Sequence, residues 1–317
     1  MKPILVLDAP HALFFEALDQ NAISYVCDYE SNLEGITNKI HDYRAIVMRS
    51  RVSLDQTFFD KAQHLEFVAR EGVGLDHIDL EAASAFDIQI ITSPEGSRDT
   101  VAEHAIGLLL NIMNNTSKAD REVRAGKWLR EANRGCELGG STVGILGYGN
   151  MGQSLAKKLS GFGCRCIAYD KYRTNYADEY AQAVALEELF AQSDILSIHI
   201  PLDKLNRHFV NADFLNQFSK PIFLVNTARG LVLETSALVR ALKEGKVRAA
   251  ALDVLEYEDT SFNFLDLLKE ENANEDYQYL KASDRVLLNP HIAGWSYESK
   301  RKHAQVLAQK IVKHFKG

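Results

Sequence analysis

The chain has 317 residues, with 36 lysines and arginines against 43 aspartates and glutamates, for a formal net charge of −7. At roughly 150 residues per domain, this length predicts about two domains. A hydrophobic content of 46% with 25% charged residues excludes a disordered chain, and the acidic balance argues against a nucleic-acid-binding surface.

In chain order, the first half carries short apolar runs at residues 4–8, 23–27, 45–48, 66–70 and 88–92. After a pause, further runs follow at 143–146, 164–170, 183–186, 195–200, 222–226, 249–253 and 285–289. Turns and helical patterns separate them. Apolar strands alternating with helices predict parallel sheets covered on both faces, hence an α/β fold with two doubly wound domains. The run at 4–8 lacks a cleavage pattern and reads as a first strand rather than a leader. No stretch reaches the ~18 apolar residues of a membrane span, so no membrane partner is expected.

Between the two series, residues 100–115 are rich in Ala, Leu and Ile nearly all round, as in a helix buried at a domain or subunit interface. Residues 118–140 are polar and read as irregular. A last helix, about 296–315, places Ala304, Leu307, Ile311 and Phe315 at helical spacing and needs an apolar surface to cover. The first domain is a candidate. Cys27, Cys136, Cys164 and Cys166 are too few for a disulfide framework and lack zinc-site spacing. They read as reduced core thiols in a cytoplasmic protein, with no metal site.

The run at 143–146 leads into Gly147-Tyr148-Gly149-Asn150-Met151-Gly152, a G-x-G-x-x-G turn before a helical pattern. Gly147 allows the tight turn, Gly149 lets a pyrophosphate approach the backbone, and Gly152 lets helix and strand pack closely. The helix N-terminus offers N–H groups to phosphate. The next strand ends at Asp170, eighteen residues after Gly152. An acid there accepts both ribose hydroxyls of NAD and repels the 2′-phosphate of NADP. Capping of the next turn is its other reading, and Lys171 and Arg173 leave room for NADP.

Three polar groups follow later strand ends: Asn226-Thr227-Ala228-Arg229-Gly230, Asp253 through Glu258, and Asn289-Pro290-His291. Ligands of open α/β sheets bind outside the carboxyl ends of the strands. An Arg clamps a carboxylate, a His exchanges a proton with a hydroxyl, and a carboxylate beside the His fixes its ring. That combination suits oxidation of a 2-hydroxy acid. Singly, each residue also reads as a surface arginine, a turn histidine or a solvated acid.

Over almost its full length the chain resembles the D-isomer-specific 2-hydroxyacid dehydrogenase family. The resemblance rests on Arg49-Ser50-Arg51, the stretch Arg70 through Asp79, Val101-Ala102-Glu103-His104, the glycine turn, 226–230, 253–258 and Pro290-His291. It implies that Arg229 binds the substrate carboxylate, His291 is the acid/base and Glu258 its partner. Asp253, Thr227, Ala228, Ala293, Gly294, Asn150 and Met151 would meet the cofactor, NAD. Backbone N–H groups of Val73 and Gly74 would hold the carboxylate.

The resemblance also implies a split catalytic domain, 1–98 plus 293–317 and flavodoxin-like, around a Rossmann domain at 99–292, and a homodimer. Arg49, Ser50 and Arg51 resemble the phosphate-contacting segment of 3-phosphoglycerate dehydrogenases, without the C-terminal regulatory domain of longer members. Glyoxylate, hydroxypyruvate or D-lactate-type substrates are the alternative, as is an NAD-sensing, corepressor-like binding protein. Departures from the family pattern are Asp259 where Pro is frequent after Glu258, His77 where Asn is common, Trp295 where small residues are frequent, and Asn206 where Thr often meets the cofactor. Residues 256–285 hold nine acids and three bases and carry −6 of the −7, which reads as one solvated segment.

Overall fold

The computed structural model describes residues 2–259 and 275–316. Among them the chain forms twelve strands, all paired in parallel. Contacts divide it into two compact units, Met1–Arg98 with Trp295–Gly317, and Asp99–Gly294.

In the first unit, β1 (Ile4–Val6), β2 (Tyr25–Cys27), β3 (Ala45–Met48), β4 (Phe67–Arg70) and β5 (Gln89–Thr92) take the order β2-β1-β3-β4-β5. This is the flavodoxin-like order, whose switch point lies between β1 and β3. Strand alternation sorts the side chains. Leu5, Ile46 and Val68 join Phe58 and Phe59 on one face, while Ile4, Val6, Ala45 and Phe67 join Phe14 and Leu18 on the other. The helix Tyr297–Lys316 covers that second face and buries Ala304, Leu307 and Ile311 completely. Each buried Leu or Ile contributes about 1.5–3 kcal/mol, which ties the C-terminal helix to the N-terminal sheet.

The second unit holds β6 (Thr142–Leu146), β7 (Arg165–Tyr169), β8 (Gln182–Ala183), β9 (Ile195–Ile198), β10 (Ile222–Asn226), β11 (Val247–Leu252) and β12 (Val286–Leu288). The order β12-β11-β10-β9-β6-β7-β8 is the Rossmann arrangement with one added strand. The fold is α/β, a Rossmann unit inserted in a flavodoxin-like one.

Two expectations need correction. The segment 118–140, read as irregular, begins inside a helix, Thr116–Arg124, that has no buried residue. It has no apolar stripe to read, and ion pairs one turn apart, Lys118–Glu122 and Asp120–Arg124, support it instead. The cysteines are free thiols, but only Cys166 is buried; Cys27 is exposed on the edge strand β2. No described helix is long and apolar enough to cross a membrane. Residues 260–274 of the acidic stretch lie outside the described residues.

Candidate active site

The glycine turn leaves β6 and enters the helix Asn150–Leu159. Gly147 has φ +95°, and a Cβ there would meet the His199 carbonyl oxygen at 2.7 Å. A Cβ on Gly152 would stand 2.3 Å from the Gly147 carbonyl oxygen. Both glycines are therefore demanded by the protein itself. Gly149 is not, since a Cβ there meets no protein atom within 4 Å. A bare backbone facing open space suits a ligand that needs close approach.

Asp170 follows β7, and its carboxylate accepts from Tyr148 N at 2.9 Å, inside the glycine turn. It also accepts from Tyr172 N at 3.0 Å and Arg173 N at 3.1 Å. The capping reading is thus realised, and the same carboxylate stands against the turn. Arg173 donates to the Tyr148 carbonyl.

Asn226 ends β10 fully buried and shapes the next loop: its side chain accepts from Ala228 N and donates to the Arg229 carbonyl. Arg229 donates to the Ala228 carbonyl at 2.7 Å. Thr227 Oγ1 is buried, with no hydrogen-bond partner among the described residues. A buried hydroxyl in that state calls for a partner from outside the protein. With the open Gly149 backbone, it shows that the residues present fit a bound dinucleotide.

Asp253 directly follows β11 and has no exposed surface. Its carboxylate accepts from Ile292 N at 2.9 Å and Ala293 N at 2.7 Å, and its carbonyl accepts from His291 N at 2.7 Å. Burial alone would raise this carboxyl; the His104 ring, 3.4 Å away, and the two amides override it and hold it below its ordinary value. His104 also lies 3.1 Å from the Asn289 amide nitrogen. His104 closes the Val101–His104 motif, and no local signal in the sequence marks its approach to Asp253.

This clamp matters because His291 stands in the left-handed region at φ +53°. A non-glycine residue there stores strain of order 1–3 kcal/mol and persists only where its surroundings hold it. The hold aims the side chain. His291 Nδ1 lies 2.7 Å from Glu258 Oε2, and the other Glu258 oxygen accepts from Leu255 N at 2.5 Å. A carboxylate only accepts, so Nδ1 carries the proton in this pair, and Nε2 is the nitrogen on the far side of the ring.

In the first unit, Arg51 donates from Nε to the Leu7 carbonyl at 3.1 Å, and from its two terminal nitrogens to the Ser31 and Asp28 carbonyls at 2.6 and 2.9 Å. Arg49 pairs with the buried Glu71 through Nε at 3.3 Å and lies over the Trp295 ring. Among the described residues the amides of Val73 and Gly74 have no acceptor. Ser50, between Arg49 and Arg51, is half-buried.

Residues 106–293 match the family described as D-isomer specific 2-hydroxyacid dehydrogenase, NAD binding domain. The chain is 35% identical over 276 residues to a hydroxypyruvate reductase of Thermotoga maritima, covering 86% of this chain and 85% of that one. It is 33% identical over 290 residues to a D-3-phosphoglycerate dehydrogenase of Methanocaldococcus jannaschii, covering 90% of this chain but 52% of that one. A solved D-lactate dehydrogenase from Aquifex aeolicus, complexed with NAD and lactic acid, superposes with TM-score 0.80 at 26% identity, covering 99% and 94% of the two chains.

The chain therefore belongs to the D-isomer-specific 2-hydroxyacid dehydrogenases. It is an NAD-dependent oxidoreductase acting on the CH–OH group of 2-hydroxy acids, or in reverse on 2-oxo acids.

Proposed function

We propose that this enzyme reduces short 2-oxo acids without a phosphate group, of the hydroxypyruvate and glyoxylate type, using NADH. The observation that carries the chemistry is the Glu258–His291 pair at 2.7 Å, at the carboxyl edge of the sheet that carries the glycine turn. Bound NADH supplies the hydride. Arg229 takes the substrate carboxylate and polarises the reacting carbonyl. His291, as the imidazolium with a proton on each ring nitrogen, donates the Nε2 proton to the C2 oxygen as negative charge develops there and becomes the neutral ring, while Glu258 keeps it oriented. In the oxidative direction the same nitrogen accepts the hydroxyl proton.

The choice of an unphosphorylated substrate follows from Arg51. Three backbone carbonyls accept from its guanidinium, which supports a role as a brace between loops over one as a phosphate ligand. The resemblance to the phosphate-contacting segment of 3-phosphoglycerate dehydrogenases rests on Arg49, Ser50 and Arg51. Ser50, Val73 and Gly74 stay within the proposal as substrate contacts of the first unit, which would be the substrate-binding domain.

Asp170 would favour NAD over NADP. Asn150, Met151, Thr227, Ala228, Asp253, Ala293 and Gly294 complete the proposed cofactor contacts. A cytoplasmic homodimer, paired through the helix Arg98–Met113, is part of the same reading. The test is steady-state kinetics on hydroxypyruvate, glyoxylate, pyruvate and 3-phosphohydroxypyruvate with NADH and NADPH. The highest kcat/KM is expected for hydroxypyruvate or glyoxylate with NADH.

A further inference from the structure

Glu71 follows β4 and is 3% exposed. Among the described residues, neither of its buried carboxylate oxygens has a hydrogen-bond partner. Its ion pair is Arg49 Nε at 3.3 Å, with Lys300 and Arg70 as further positive neighbours and Asp8 as a negative one. Burial raises this carboxyl, and Arg49, Lys300 and Arg70 oppose that rise. An acid in such a setting depends on its cation, because removing one partner of a buried pair strands the other charge.

The place is also informative. Asp8 follows β1, Arg49 follows β3 and Glu71 follows β4, and Asp8 accepts from Arg49 N at 2.6 Å. These are carboxyl ends of neighbouring strands at the β1/β3 switch point, where doubly wound sheets bind ligands. Glu71 stands immediately before the Gly72–Gly74 loop. Arg49 is the partly exposed member, 25% open, and its guanidinium lies 5.2 Å from the centroid of Trp295, itself 72% exposed.

We propose that Glu71 is a specificity-determining residue that withholds Arg49 from anionic substrate tails, so that the enzyme discriminates against 2-oxo acids bearing a phosphate or a second carboxylate. A phosphate drawing Arg49 toward itself leaves Glu71 buried and unpaired, and places two like charges close together at low dielectric. A short neutral tail makes no such demand on the Arg49–Glu71 pair. The inference rests on the proposed reduction of unphosphorylated 2-oxo acids and names what enforces it.

The test compares kcat/KM for hydroxypyruvate and 3-phosphohydroxypyruvate with NADH in wild type, Glu71→Gln and the double variant Arg49→Gln/Glu71→Gln. Wild type is expected to favour hydroxypyruvate. Glu71→Gln frees Arg49 and shifts the ratio toward the phosphorylated substrate by about tenfold or more; the double variant loses that gain. Turnover of hydroxypyruvate with an unchanged ratio in Glu71→Gln overturns the role of Glu71 and leaves the proposed function standing. No turnover of any 2-oxo acid overturns the proposed function itself. If Glu71→Gln does not fold, Glu71→Ala reads the same ratio, and a wild-type preference for the phosphorylated substrate overturns the inference without any variant.

Discussion

Glu258 and His291 are joined by a 2.7 Å hydrogen bond although 33 residues separate them. The second Glu258 oxygen is fixed by Leu255 N, so the carboxylate has little freedom and the imidazole inherits that order. Glu258→Gln offers one acceptor where two donors arrive. We expect kcat to fall about 10–100-fold with KM changed less, measured by initial rates of NADH oxidation. An unchanged kcat contradicts the orienting role.

Arg229 is expected to act in both binding and catalysis. Arg229→Ala should raise KM for the 2-oxo acid and lower kcat together, while Arg229→Lys recovers only part of the loss, because an ammonium lacks the planar fork. Retention of the wild-type kcat/KM in the alanine variant removes Arg229 from the site.

Asp253 binds the turn that carries His291 through three acceptors. Asp253→Asn cannot accept from both amides with its side chain, so a loss of about 2–4 kcal/mol of stability is expected in urea unfolding at pH 7. Its folded carboxyl sits below its ordinary value. The stabilisation is therefore fully present above the unfolded value of about 3.9 and is lost as pH falls through the lower folded value.

Much of this architecture was legible in the chain itself. Eleven of the twelve expected strands coincide with observed ones and the run at 183–186 shares only Ala183 with β8; runs such as Ile222–Asn226 are legible because they are buried on both faces and carry no polar residue until the strand ends. The glycine turn and Asp170 were readable because backbone geometry demands those residue types at fixed spacing. Pairing of Glu258 with His291 was reached only through family resemblance, since no local pattern links positions so far apart. The commitments of Arg51 to carbonyls at 7, 28 and 31, and of Asp253 to the 291–293 turn, were not legible. They depend on which loops the sheets bring together. Glu71 read as one letter of a motif, and only its burial distinguishes it.

His303 gives a pH signature in the first unit. It is buried, bonded to Ser93 Oγ at 2.9 Å, and burial with the nearby Arg70 charge pushes its ring down to about 4. The folded form resists the proton that the unfolded chain binds at about 6.5. Stability is thus full above about pH 6.5 and falls as pH drops toward 4, by about 3 kcal/mol in total. His303→Gln should flatten that slope between pH 6.5 and 5 in chemical unfolding; an identical slope contradicts it.

Asp170→Ala should lower kcat/KM for NADH relative to NADPH. The variant removes the ribose acceptor and leaves Arg173 beside the glycine turn. An unchanged cofactor ratio contradicts the assignment.

The most direct test of the account is the turnover of His291→Ala with hydroxypyruvate and NADH, alongside NADH affinity measured by fluorescence. The account predicts kcat reduced about 10²–10⁴-fold, the usual range for loss of a general acid, with NADH binding retained. Wild-type turnover in that variant would contradict it.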